Sequence, residues 1–128
     1  MTRKDSLFFF CYGFVVWALA TISFKFIGLN QSLMLINFLA LIVGMPLLNL
    51  MGYRWRNIKG TDRIKASVWF SIPGLMIDAF VILFYYDLIT PEQFPLMPTK
   101  SNFLGAWLLF GYGITLITGV ISAELTKI

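Results

Sequence analysis

Asp78 is the side chain whose type and position most clearly invite chemistry. It lies near the middle of an apolar block at residues 66–86, where an ionised carboxylate costs about 2.5–3.5 kcal/mol on the membrane-insertion scale. Such a carboxylate could bind a proton or a cation between helices. It could equally be a neutral acid that holds helices together through hydrogen bonds to a hydroxyl or a backbone carbonyl. The residue types leave both interpretations open.

Polar and small residues around Asp78 form a stripe. At helical spacing, four residues of this block fall on one side of a helix. They are Ser71, Gly74, Asp78 and Tyr85. We expect this side to face other helices, because a polar group that faces lipid finds no hydrogen-bond partner. Lys25 and Tyr112 are the candidate partners of Asp78 from other parts of the chain.

The remaining reactive residue types are scarce. Histidine is absent, so the commonest general base, proton shuttle and zinc ligand is missing. Cys11 is the single cysteine, which excludes an internal disulfide or a paired redox motif. A membrane enzyme needs convergent nucleophiles, bases or metal ligands. The sequence therefore predicts no enzyme, no metal site and no cofactor.

The elements that position Asp78 follow from composition. Of 128 residues, 59% are hydrophobic and 12% are charged, which is far from the composition of soluble domains. The apolar residues gather in blocks of about twenty, the length of helix that crosses roughly 30 Å of hydrocarbon. We therefore predict an all-α, polytopic membrane protein, a four-helix transmembrane bundle that forms a single domain over 1–128. The predicted helices cover residues 6–27, 32–51, 66–86 and 102–123.

Small residues indicate where these helices pack closely, because glycine and alanine let two helix backbones approach each other in lipid. They recur at helical spacing in the second, third and fourth blocks. The predicted packing positions are Ala40, Gly44, Gly74, Gly105 and Gly119.

The basic residues predict an orientation. Eight of the ten Lys and Arg residues lie in the N-terminal segment, in the connector 52–65 and in the C-terminal tail. Positive charge collects on the cytoplasmic side of membrane proteins, which predicts an N-in, C-in chain. We also predict that the basic side chains of this connector contact lipid head groups. They are Arg54, Arg56, Lys59, Arg63 and Lys65. Because orientation explains the net charge of +4, we expect the lipid bilayer as partner and no nucleic acid.

A secretory signal peptide is the alternative for the first block. Arg3 and Lys4 precede an apolar core, and Ala18-Leu19-Ala20 is similar to a cleavage site with small residues. The apolar stretch, however, continues to Ile27. This length favours a retained membrane helix.

Several short segments resemble a bacterial family of four-helix inner-membrane proteins of unknown function. They are Tyr12-Gly13-Phe14 with Trp17, the segment PGLMIDA at 73–79, Phe94-Pro95, and GAWLL at 105–109. The resemblance covers nearly the whole chain and implies an uncharacterised inner-membrane protein without an assigned activity. Small multidrug transporters are similar in outline only, because their membrane carboxylate is a glutamate in the first helix, and block 6–27 contains no acid.

Two functions remain in competition. The first is a non-enzymatic structural or interaction subunit that packs against a second copy of itself or a larger membrane partner. The second is a small proton- or cation-coupled transporter in the bacterial plasma membrane, in which Asp78 carries the coupling. The transporter would be a dimer, because four helices enclose little space.

The predicted orientation can be tested with reporter fusions. Fusions placed after Lys65 and after Lys127 should both report a cytoplasmic location, because both sites follow segments of the positively charged side. A fusion after Lys100 should report the opposite side and serves as the control. A non-cytoplasmic signal after Lys65 or Lys127 would contradict the four-span, N-in model.

Overall fold

A computed structural model describes the backbone of residues 1–27, 31–84 and 99–126. It describes side chains at residues 1–23, 36, 38–80 and 105–126. The description therefore covers most of each helix but not the connections at 28–30 and 85–98. The side chain of Lys25 and the whole of Tyr85 lie outside the described residues.

The described residues form four α-helices and no strand. The helices are α1 (Arg3–Ile27), α2 (Gln31–Trp55), α3 (Asp62–Phe84) and α4 (Thr99–Leu125). The predicted all-α class is confirmed. The connection between α2 and α3 covers only residues 56–61, which is shorter than the polar stretch 52–65. Both helices extend into that stretch, because arginine and lysine are good helix formers.

The first helix begins with a reciprocal cap. Thr2 Oγ1 accepts a hydrogen bond from the backbone N–H of Asp5 at 3.2 Å. Asp5 Oδ2 in turn accepts from the Thr2 backbone N–H at 2.9 Å and from its hydroxyl at 2.6 Å. This arrangement is the capping box, in which two otherwise unsatisfied groups at a helix start bond each other. It explains why α1 starts at Arg3, ahead of the apolar block.

The second helix ends in a Schellman motif. The backbone N–H of Ile58 donates to the Tyr53 carbonyl at 2.8 Å, and that of Asn57 donates to the Arg54 carbonyl at 3.1 Å. Asn57 has a φ of 54°, a left-handed conformation that asparagine tolerates better than most residues. Ile58 is buried and supplies the apolar contact that usually accompanies this motif. A tight turn therefore leads from α2 into α3.

The third helix is the centre of the arrangement. Among the described residues, α3 packs extensively against both α1 and α4, and α4 packs against α2. The contact between α1 and α2 is much smaller, although these two helices follow each other in the chain. As a result, Asp78 on α3 lies between the first helix of the chain and the helix that follows α3.

The outside of the structure is apolar, and part of its inside is polar. Large hydrophobic side chains such as Leu19, Val43 and Phe80 are exposed, whereas Asn49 and Thr115 are fully buried. Three helices are long and apolar enough to cross a membrane, with candidate spans at Arg3–Ser23, Phe38–Trp55 and Gly105–Leu125. Over the residues that the structure describes, helix α3 is not among these three, and the whole helix carries four charged residues. The orientation in the membrane stays a prediction.

Close helix contacts occur at three glycines. A Cβ atom at Gly13 on α1 would overlap the backbone carbonyl of Phe70 on α3. A Cβ at Gly74 would overlap the Tyr112 ring, and one at Gly119 would overlap the Ser67 side chain. Gly74 and Gly119 were predicted as packing positions, whereas Gly13 was not.

The other predicted packing positions lie elsewhere. No described atom comes within 4 Å of a Cβ built at Gly44 or Gly105, and Ala40 is exposed. The predicted seam of α2 therefore has no packing partner among the described residues. Helical spacing shows which small residues share a face, but it does not show whether that face meets a helix of the same chain.

Gly13→Ala should separate α1 from α3, because the new methyl group meets backbone rather than a movable side chain. We expect it to lower the free energy of unfolding by about 1–3 kcal/mol. Gly105→Ala, the matched control at a site with no described atom within 4 Å of a built Cβ, should leave it unchanged or raise it by up to about 1 kcal/mol, as alanine is the better helix former. Unfolding by SDS titration in mixed micelles, followed by circular dichroism, measures both. Equal destabilisation by the two variants would contradict the α1–α3 contact.

Candidate functional site

The Asp78 carboxyl group joins three helices. Asp78 lies on α3 and is only 7% exposed. Its Oδ1 accepts a hydrogen bond from Trp17 Nε1 on α1 at 2.6 Å. Its Oδ2 accepts a hydrogen bond from the Tyr112 hydroxyl on α4. Both carboxyl oxygens therefore have a donor, and each donor belongs to a different helix.

Glycine contacts bring these two donors within reach. Gly74 lies one turn before Asp78 on α3, and the Tyr112 ring occupies the space that a side chain at Gly74 would fill. Gly13 lies one turn before Trp17 on α1 and lets that helix approach the Phe70 backbone. The small residues thus position the aromatic side chains, which in turn hold the carboxyl group.

The charge state of Asp78 changes the direction of only one of its two hydrogen bonds. The indole N–H of Trp17 can only donate, so Oδ1 is its acceptor whether Asp78 is ionised or neutral. The Tyr112 hydroxyl can donate or accept, so it donates to an ionised carboxylate and can accept from a protonated one. The three groups can therefore stay in contact while a proton is gained or lost.

The predicted partners of Asp78 have different outcomes. Tyr112 contacts it directly, whereas the side chain of Lys25 lies outside the described residues. Within the described part of the chain, the ion pairs are Arg56 with Asp5, and Asp62 with both Lys65 and the amino terminus. None of them involves Asp78. Its described partners are hydrogen-bond donors without formal charge.

A small cavity adjoins the Asp78 contacts. It has a volume of about 40 Å³, and all four helices contribute to its walls. Trp17 and Tyr112, the two donors to Asp78, are among its lining residues, together with Met45, Phe70 and Trp107. A water molecule requires roughly 10–15 Å³ of such volume. The cavity therefore has room for a few water molecules, although its walls are mainly apolar.

A second polar layer lies between the cavity and the α2–α3 connection. Asn49 Nδ2 donates to the Met45 carbonyl at 2.8 Å and to Thr115 Oγ1 on α4 at 3.4 Å. Ser67 and Ser71 on α3 are also buried, and Ser67 lies against Gly119, one turn after Thr115 on α4. Within the described residues, the polar residues of α3 thus form a buried stripe from Ser67 to Asp78.

Sequence reasoning missed Trp17 and Asn49 as site residues. Trp17 is a donor in an apolar block and was available as a partner for any buried acid, but tryptophan in a membrane helix is more often a residue of the membrane–water interface. Asn49 was visible as a polar interruption of the second block. Its spacing from Tyr53, one turn later, was the signal that could have identified a polar face.

The basic residues of the connector divide into two groups. Arg56 donates twice to Asp5 Oδ1, at 2.9 and 2.7 Å, and its guanidinium group lies over the Phe8 ring. Arg63 donates to the carbonyls of Ile58 and Ser122, at 3.0 and 3.4 Å. These two arginines therefore hold helix ends together, although they were predicted to contact lipid head groups.

The other three predicted head-group residues are more exposed. Arg54 and Lys59 are exposed, and the exposed Lys65 pairs with Asp62 at 3.3 Å. The amino terminus, and more weakly Lys65, hold the pKa of the Asp62 carboxyl below its usual range. Contact of Arg54, Lys59 and Lys65 with lipid head groups stays a prediction.

The sequence profile of a family of unknown function (DUF5367) matches residues 24–126. The chain belongs to this family. The predicted resemblance to an uncharacterised family is thereby confirmed. Comparison with curated proteins and with solved structures gives no match. The range that the DUF5367 profile matches contains Asp78 and Tyr112 but begins after Trp17.

Deleting either donor to Asp78 should weaken the contact between helices. Trp17→Phe and Tyr112→Phe each leave one buried carboxyl oxygen without a partner, which lowers the free energy of unfolding by about 1–3 kcal/mol. Thr21→Val is the matched control on α1, because the buried Thr21 hydroxyl has no hydrogen-bond partner among the described residues. It should leave stability unchanged or raise it. SDS titration in mixed micelles compares the three variants, and a neutral Tyr112→Phe would contradict the described site.

Proposed function

We propose that this chain is a non-enzymatic, multi-pass membrane protein of the bacterial plasma membrane that acts as a structural or interaction subunit. The observation that carries the proposal is the double engagement of Asp78, whose oxygens accept from Trp17 on α1 and Tyr112 on α4. A buried carboxyl group with both oxygens occupied joins helices, as polar side chains do in lipid. We assign Asp78 the role of a tie between α1, α3 and α4.

The membrane setting is supported by the distribution of apolar side chains. Exposed residues such as Leu19, Val43, Leu47 and Met76 would face water in a soluble protein, whereas in a bilayer they face lipid chains. The bacterial setting is supported by the resemblance of the sequence segments described above. The N-in, C-in orientation is supported by the distribution of Lys and Arg.

The partner of this subunit would be a second copy of the chain or a larger membrane protein. Ala40 and Gly44 support this, because their spacing suits close packing of helices and Gly44 has no described neighbour where a Cβ would lie. The interior contacts of α2 lie on another face, at Leu41, Met45 and Asn49. The small residues are therefore available to a helix from outside the chain.

A proton-coupled transporter is the second candidate, and the cavity beside Asp78 is the observation that favours it. The cavity is lined by Trp17 and Tyr112, so a molecule inside it would touch both donors to the carboxyl group. The Tyr112 hydroxyl can reverse its hydrogen bond when Asp78 is protonated. A dimer would then supply the larger enclosed volume that transport requires.

Two substitutions of Asp78 separate these candidates. In Asp78→Asn the amide oxygen can accept from Trp17 and the amide N–H can donate to the Tyr112 hydroxyl. This variant therefore keeps both contacts but cannot bind a proton. Asp78→Leu removes both contacts and leaves two buried donors unpaired, which costs about 1–3 kcal/mol for each donor.

A structural tie predicts that Asp78→Asn unfolds like the wild type and that Asp78→Leu is clearly less stable. It also predicts that proteoliposomes with wild-type protein or Asp78→Asn take up protons no faster than protein-free liposomes, as followed by a trapped pH-sensitive dye. A proton flux in the wild type that is lost in well-folded Asp78→Asn would overturn the structural proposal and establish the transporter.

A further inference from the structure

The fully buried residue Asn49 has a carboxamide oxygen without a hydrogen-bond partner among the described residues. The orientation of this amide is well defined, because its nitrogen donates to the Met45 carbonyl at 2.8 Å, and a carbonyl can only accept. Oδ1 therefore cannot be exchanged with Nδ2. A buried amide oxygen without a donor is destabilising, and buried polar groups of this kind usually have a partner.

Tyr53 presents a similar hydroxyl one helical turn further along α2. Its side chain is also fully buried. The hydroxyl lies near the Ser67 hydroxyl of α3 but makes no aligned hydrogen bond within the described part of the chain. Residues 49 and 53 share one face of a helix, so both side chains lie on the same side of α2.

The neighbouring hydroxyls cannot satisfy the Asn49 oxygen. Ser67 Oγ donates its proton to the Ile64 carbonyl at 2.8 Å, and Ser71 Oγ donates to the Ser67 carbonyl at 2.9 Å. Their remaining capacity is to accept. The layer is therefore rich in acceptors and poor in donors, and a ligand that fits it must bring donors of its own.

Water fits this layer better than a cation does. The Arg63 guanidinium lies 5.4 Å from the centre of the Tyr53 ring and would repel a positively charged ligand. A water molecule is neutral and supplies two donors and two acceptor sites. It can donate to Asn49 Oδ1 and accept from the Tyr53 hydroxyl at the same time.

The structure provides space next to this layer. The central cavity of about 40 Å³ is lined by Met45, one turn before Asn49 on α2, and by Tyr112, one turn before Thr115 on α4. Asn49 and Thr115 bond each other and thus lie about one helical turn beyond these two lining residues, towards the α2–α3 connection. Water in the cavity would be within a helical turn of the Asn49 oxygen.

We propose that α2, α3 and α4 hold internal water on Asn49 Oδ1 and the Tyr53 hydroxyl, and that this water continues into the cavity beside the donors to Asp78. The water then lies along the polar stripe of α3 between Ser67 and Asp78, which are eleven positions apart, or about 17 Å at the rise of an α-helix. This proposal is independent of both candidate functions, because a static subunit and a transporter can each contain ordered water.

Radiolytic labelling tests the site in the full-length protein in lipid nanodiscs. A brief X-ray pulse produces hydroxyl radicals from bound water, and these oxidise the nearest side chains before they diffuse away. Tyr53 is the reporter. Phe38 is the control, because it lies eleven positions before Asn49 on the same helix, packs against the Phe110 ring at 5.4 Å and has no hydrogen-bonding group. Each oxidation rate, measured by mass spectrometry, is divided by the rate of the same residue in the unfolded chain.

We expect the normalised rate of Tyr53 to exceed that of Phe38 several-fold in the wild type. In Asn49→Leu, which removes the acceptor and fills its space, the Tyr53 rate should fall to the level of Phe38. Asn49→Met, which also removes the acceptor but has a more flexible side chain, serves if Asn49→Leu does not fold. A wild-type Tyr53 that is labelled no faster than Phe38 would overturn the proposal. So would a fast rate that persists in a folded Asn49 variant.

Discussion

The structure depends on one constraint: a polar group inside a membrane helix must find its hydrogen-bond partner within the protein. Asp78 meets this constraint with donors from α1 and α4, and the geometry of the helices follows from it. Trp17 reaches the carboxyl group because Gly13 brings α1 against α3, and Tyr112 reaches it because Gly74 leaves room for the ring. The helix contacts and the polar site are therefore a single arrangement.

The same constraint explains which helices are neighbours in space. Since the hydrophobic effect does not drive helices together within lipid, close packing and polar contacts determine which helices meet. The polar residues of α3 face α1 and α4, so α3 becomes the common neighbour. At the connection between α2 and α3, where water can reach, Arg56 and Arg63 take a comparable role by bonding Asp5 and backbone carbonyls.

The all-α class and the apolar blocks could be predicted because length and composition determine them almost alone. The importance of Asp78, Gly74 and Tyr112 could also be predicted, since a buried acid and its stripe are visible at helical spacing. The partnership with Trp17 could not, because it depends on which helices are neighbours. The same limit applies to Gly13 and Gly44. Both are single glycines inside apolar blocks, yet a described helix lies against Gly13 and none lies against Gly44.

The pairing of α1 with α3 has a consequence for biosynthesis. Trp17 and Asp78 are 61 positions apart, so Trp17 is made well before the carboxyl group exists. At synthesis rates of 5–20 residues per second, the acceptor of the Trp17 indole is added roughly 3–12 s after Trp17 itself. Until α3 reaches the bilayer, α1 lacks this polar contact and depends on its apolar surface. The native neighbours of α1 must therefore be selected after insertion, when α3 arrives, rather than as each helix emerges.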